Sequence, residues 1–240
     1  MPSARQDNSL PTLKPVTQAS QLLELYAQGQ RDFRGAQLQE SYLKEICLQG
    51  CFLEGADLQG ANLLSADLRG AYLGGANLQG AYLGGADLSG AFLAGTQAQG
   101  CFLEGANLWL AHLRGIEIDE STSLDPKWQL VCDLVAGRRP TGSLESVDLS
   151  GARLYWADLH GLDLWGANLR NADLWRANLN GTQLSNAVLW EAGLSWADLC
   201  GANLSGAELD GVSLLGASYD ETTRFPALFN PGQAGMKWVD

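Results

Sequence analysis

Between Ala56 and Gly90 the chain reads ADLQG ANLLS ADLRG AYLGG ANLQG AYLGG ADLSG, seven consecutive pentads with Ala first and Leu third. A period of five fits neither the turn of an α-helix nor the simple alternation of a long strand. It fits a short extended piece followed by a tight turn, repeated. Within the extended piece Ala and Leu are two residues apart and point to the same side, while the residue between them points to the other. The result is an inside of Ala and Leu and an outside of everything else. Gly, which ends most pentads, permits the positive φ of a type II turn.

With Leu taken as the centre of each pentad, 18 centres run from Phe33 to Ile118 and 16 more from Leu144 to Tyr219. Leu fills 30 of the 34 centres, and Ala fills 22 of the 34 positions two residues earlier. Composition alone does not produce that regularity. The pattern resembles the pentapeptide repeat family, A-(D/N)-L-x-x, in a Leu-centred form, and the segment that interrupts it near residues 125–137 looks like one seen in cyanobacterial-type members. The resemblance implies an all-β solenoid, a right-handed quadrilateral parallel β-helix with four pentads per coil. In keeping with it, Phe52, Tyr72, Phe92 and His112 recur every 20 residues, as do Trp156, Arg176 and Trp196.

Breaks in the pattern divide the chain. Residues 1–17, with three prolines and no periodicity, read as a flexible tail. Residues 18–30 read as an N-terminal capping helix, with Ser20 as N-cap, Leu22, Leu25 and Tyr26 on one face and Gly29 as its stop. The first coil of a solenoid needs such a cover. A first repeat block spans 31–118 and a second 142–220. Between them, at 119–141, the phase slips, because Ile118 and Leu144 are 26 residues apart. Asp125 as N-cap, Pro126 at the first helical position, Gly137 as stop and an apolar face of Trp128, Val131, Leu134 and Val135 predict an inserted helix. A single solenoid with the helix looped out onto one wall is expected; two abutting solenoids are the alternative. Residues 221–240 read as a C-terminal cap.

Composition narrows the function. The 240 residues carry a net charge of −12, which argues against direct nucleic-acid binding. No run suits a membrane helix, and the N-terminus lacks the apolar core of a secretory signal. Five scattered cysteines fit a reducing, cytoplasmic setting. The two histidines, His112 and His160, belong to no cluster of metal-ligand spacing. His160 and Cys200 share a column but lie two coils apart, roughly 9.5 Å, too far to act as a pair. Gly sits at repeat corners and not in a phosphate-cradling loop. These absences predict neither an enzyme nor a cofactor or metal.

The outward positions remain. Five of the eight Trp fall between residues 156 and 196. Trp156, Arg176 and Trp196 form one column, beside a column beginning Tyr155 and Trp175. Arg170 and Trp190 are also 20 residues apart, on another wall. Trp and Arg favour binding hot spots, so these seven residues are the predicted contact surface for an unknown protein partner or for self-association. The family resemblance supplies an alternative, since some members mimic DNA and bind a type II topoisomerase such as gyrase. Here the acids are spread, with nine acids and five bases in the first block and ten and three in the second.

Overall fold

The structure is a computed structural model, and it describes residues 15–240. Its regular elements are brief: α1 (Ala19–Ala27), α2 (Pro126–Val135), β1 (Ser218–Tyr219) and β2 (Lys237–Trp238). The architecture is carried by single parallel bridges between residues 20 apart. One column runs Asp32, Phe52, Tyr72, Phe92, His112, and three others run in step with it, making four bridge positions per coil. Each pentad repeats the same bonding. Leu53 N–H donates to the Tyr72 carbonyl of the next coil at 2.8 Å, and Ala56 N–H donates to Leu53 O at 3.0 Å, closing a turn with Gly55 at φ +64°. Leu and Ala point inward and are buried in nearly every coil. Cys51, Cys101, Thr96 and Thr182 replace Ala where a small side chain fits, and both threonines donate their hydroxyls to carbonyls of the preceding coil.

The D/N of the repeat has a structural task. Asp57, Asp67, Asp87, Asp158, Asp163 and Asp198 each accept a hydrogen bond from the N–H two residues on, an Asx turn that holds the corner. Asn one coil along often donates to the same carboxylate, as Asn77 does to Asp57 at 3.1 Å and Asn178 to Asp158 at 3.0 Å.

Three boundaries differ from the sequence reading. Residues 1–14 of the expected tail lie outside the described residues, but Val16 is no tail: it is buried and accepts a 2.7 Å bond from Gln37 N–H. Helix α1 starts at Ala19 with Gln18 as its uncapped N-cap, so Ser20 lies inside it. Leu22 is buried and Leu25 and Tyr26 pack on the core, so α1 covers the first coil. The first block does not stop at Ile118. It closes with a longer coil in which Phe102 bridges Ser123, and the extra residue is taken up at Asp119. There Asp119 Oδ1 accepts from Ser121 N–H and Oγ–H, while Thr122 Oγ1 donates to Ala98 O. The same device ends the second block, where Asn203 bridges Arg224, Asp220 accepts from Thr222 and Thr223, and Thr223 donates to Leu199 O.

The expectation of one continuous stack is corrected as well. No bridge joins the ladders ending at Asn107, His112, Glu117 and Ser123 to those starting at Asp148, Arg153, Asp158 and Asp163. Among the described residues one backbone bond crosses, Leu110 N–H to Gly151 O at 2.7 Å. Helix α2 is not looped out onto a wall. Trp128, Val131, Cys132, Leu134 and Val135 are buried in the apolar cluster that runs through both blocks. Asp125 does not cap α2 with its side chain; its Oδ2 accepts from Gly105 N–H at 3.1 Å. Two stacks therefore abut, with α2 built into the shared core. At the seam Trp109 lies over Gly151, where any Cβ would overlap the indole, and Lys127 reaches Asp148 at 2.9 Å.

Candidate interaction surface

The corner position of each pentad takes a left-handed φ, which Gly adopts freely and larger residues adopt at a cost of roughly 1–2 kcal/mol. Trp156, Arg176 and Trp196 occupy this position with φ of 59°, 56° and 64°. Their placement is dictated by the pentad register, and so is their projection outward. The Arg176 guanidinium carbon lies 4.9 Å from the Trp156 ring centroid, 4.7 Å from Trp175 and 5.9 Å from Trp196. Trp156 and Trp175 meet edge to face at 5.5 Å. Even so, Trp156 and Trp196 remain about half exposed, at 52% and 47%. Arg170 and Trp190 lie apart from this group and form their own pair, 5.2 Å from guanidinium to ring.

Two additions escaped the sequence. Lys237, on β2, stands 4.3 Å from the Trp196 ring. It arrives there because β2 pairs in parallel with β1, a link within the cap that no repeat spacing signals. Beside the Trp row an open groove of about 570 Å³ is lined by His112, Arg153, Tyr155, Asp173 and Trp175, with Gly193, Ser195 and Ser213 where side chains are small. The groove lies outside the buried Leu and Ala core. It arises because the Tyr155–Trp175 column continues as Ser195, and Arg153–Asp173 continues as Gly193 and Ser213, so aromatic bulk stops after two coils.

At the head of the groove His112 closes a column of stacked rings, 4.1 Å from Phe92. Its Nε2 is 2.6 Å from Arg153 Nη1. Arg can only donate, so Nε2 accepts and the imidazole is neutral. Burial first, and then the Arg153 charge, push the His112 pKa down to about 4. Tyr155 sits 6.1 Å from His112, and Arg114 donates to its carbonyl at 3.0 Å. The groove thus spans the seam: His112 comes from the first stack and the other lining residues from the second.

Four of the thiols, Cys51, Cys101, Cys132 and Cys200, are held in the protonated, weakly nucleophilic form. Burial raises Cys51 to about 11 and Cys101 and Cys132 to about 12, and burial with the Asp198 hydrogen bond raises Cys200 to about 11. Among the described residues no group of three or more His, Cys, Asp or Glu is placed to hold a metal ion.

Comparison with known proteins identifies the family. The family profile described as pentapeptide repeats matches eight copies, over residues 32–75, 71–115, 143–176 and 177–216. Among solved structures, the pentapeptide repeat protein Rfr23 of the cyanobacterium Cyanothece 51142 is 44% identical over 39% of this chain, which spans 64% of Rfr23, with a TM-score of 0.39. HetL of Nostoc sp. strain PCC 7120, a pentapeptide repeat protein involved in heterocyst differentiation regulation, is 31% identical; the match covers 81% of this chain and 92% of HetL, with a TM-score of 0.29. QnrB1, a plasmid-mediated fluoroquinolone resistance protein, is 18% identical over 87% of this chain and 83% of its own, with a TM-score of 0.32. A comparison with curated proteins returned no match. With the profile spanning most of both ladders, the chain belongs to the pentapeptide repeat family.

Proposed function

We propose that this chain is a non-enzymatic, cytoplasmic protein–protein interaction scaffold, wound as a right-handed quadrilateral β-helix, and that the Trp156–Arg176–Trp196 wall is its contact surface. One observation carries the reading. Three bulky residues, two of them indoles about half exposed, stand at left-handed corners where Gly would be free of strain. Strain of this kind persists where another demand holds it in place. Their mutual stacking offsets part of it, at roughly 0.5–1.5 kcal/mol per contact, but leaves the outer indole faces bare. The test is to replace Trp156 or Trp196 with Gly. Relief of φ strain and loss of stacking are of similar size, so melting should move by less than about 1 kcal/mol equivalent. Sedimentation and pull-down should show association lost. Association retained in both variants removes the wall as the contact surface.

The acidic alternative, a DNA mimic bound by a type II topoisomerase, has weaker support. The carboxylates of the repeat are engaged in corner turns and Asp–Asn ladders instead of forming a free row. A gyrase supercoiling assay with added protein separates the two readings: inhibition insensitive to Trp156→Gly would favour the mimic.

A further inference from the structure

The Trp wall carries cations that no carboxylate engages. The chain is acidic overall, at −12, and its surface cations commonly sit on a carboxylate, as Arg34 does on Asp32, Arg69 on Asp67 and Arg138 on Asp133. Among the described residues the side chains of Arg176 and Lys237 make no ion pair and donate no hydrogen bond. Both lie on the Trp196 ring, at 5.9 and 4.3 Å. A guanidinium resting on indoles keeps its in-plane N–H groups directed outward, and a fork of such donors suits a carboxylate. Arg153, which lines the neighbouring groove, also carries an unbonded donor. Arg153 Nε is buried without an acceptor, and the nearest carboxylate oxygen, Asp173 Oδ2, is 3.9 Å away. Next to these cations the groove offers aromatic sides in Tyr155 and Trp175 and an open floor at Gly193.

We propose that this wall receives an acidic, extended peptide segment of a partner protein. A large apolar side chain of that segment fills the groove over Gly193, and its carboxylates engage Arg176 and Lys237. The inference rests on the scaffold reading above and adds the chemistry of the partner. Trp175 lines the groove and touches Arg176, so an anchor in the groove and a carboxylate on Arg176 are one or two residues apart along an extended chain. The net negative charge elsewhere does not oppose this strongly, because exposed charges beyond about 8 Å are largely screened at physiological salt. Asp173, the one carboxylate lining the groove, lies beside Arg153.

The test uses the full chain as bait for a random library of short linear peptides displayed on phage. Peptides selected on it are then measured against two variants. Arg176→Gln removes the charge. Gly193→Leu fills the groove, and it should seat without strain, since a Cβ there meets only Asp173 Oδ1 at 3.9 Å. Selected peptides should combine Asp or Glu with a large apolar residue. They should bind more weakly as salt rises and lose about tenfold or more on either substitution, with melting unchanged. Neutral or basic peptides that Gly193→Leu still blocks would overturn the acidic partner while leaving the scaffold reading intact. Self-association of the protein alone that Gly193→Leu abolishes would overturn it equally, in favour of a second copy. If no selected peptide responds to either substitution, the site itself is overturned; the scaffold reading is then judged separately by the Trp156→Gly and Trp196→Gly variants.

Discussion

Leu78 shows what each residue of the repeat is asked to do. It sits at a pentad centre, about 1% exposed, in a column with Leu58 and Ala98. No carbonyl or carboxylate inside that column is free to meet a charge, so Leu78→Lys places an unpaired ammonium where neither water nor a partner reaches. A loss of at least about 3 kcal/mol is expected, which is roughly 10 °C in melting temperature for a chain of this size. Melting within a degree or two of the parent would mean that the Leu positions do not face inward. Gly151 tests the opposite fault, too much side chain. Its φ is +62°, and the Trp109 ring occupies the space a Cβ would need. Gly151→Ala therefore combines left-handed strain with overpacking, for about 2–4 kcal/mol in total. Gly181→Ala, at φ +65° with nothing within 4 Å, carries the strain alone and should cost about half as much. Equal losses in the two variants would show that Trp109 does not seat on Gly151.

At the scale of elements, the pentad was legible because its signal is repeated through both blocks, and the bridges at 20-residue spacing follow it coil by coil. Helix α2 was legible from Pro126, Gly137 and its apolar face. Its location was not, because amphipathicity says that a face is buried and not against what. The end of the first stack left a trace that spacing alone overlooks: Asp119-Glu120-Ser121-Thr122 and Asp220-Glu221-Thr222-Thr223 are near copies, and each closes a coil. Of the proposed contact surface, Trp156, Trp175, Arg176 and Trp196 were readable as columns, whereas Lys237 and the groove depend on a cap and a seam that have no period. The location of α2 makes a prediction. Since Val131 is fully buried within the cluster shared by both stacks, Val131→Asp should uncouple them. Repeat arrays unfold together only while their interfaces hold. Calorimetry of the parent should give one transition and of the variant two. Trp128, 7% exposed, should likewise resist acrylamide quenching when it is the sole Trp, the others being changed to Phe. Free quenching would mean that α2 leaves the core.

For the whole molecule, the weakest place is the seam, and a histidine contact spans it. His112 belongs to the first stack and Arg153 to the second, 2.6 Å apart, with Asp173 the only carboxylate beside them that favours a charged imidazole. Burial and Arg153 together hold the folded pKa near 4, below the usual 6.5. The folded state thus resists a proton that the unfolded chain accepts. Above about pH 6.5 both states are neutral at this group and its stabilising effect is complete. As pH falls from there towards 4 the unfolded state takes up the proton first, and stability is lost across that window. The carboxylate device at the other end of the molecule titrates elsewhere. Hydrogen bonds from Thr222 first, opposed by burial, bring Asp220 down to about 2, so its stabilising effect is present above the ordinary carboxylate value of 3.8 and disappears only below it. Melting curves should therefore fall between pH 6.5 and 4.5 before any carboxylate contribution begins. His112→Gln, which can still accept from Arg153 but does not titrate, should abolish that fall, and His160→Gln should leave it in place. A fall that persists in His112→Gln would move the pH sensitivity away from the seam and leave the two stacks joined chiefly by α2.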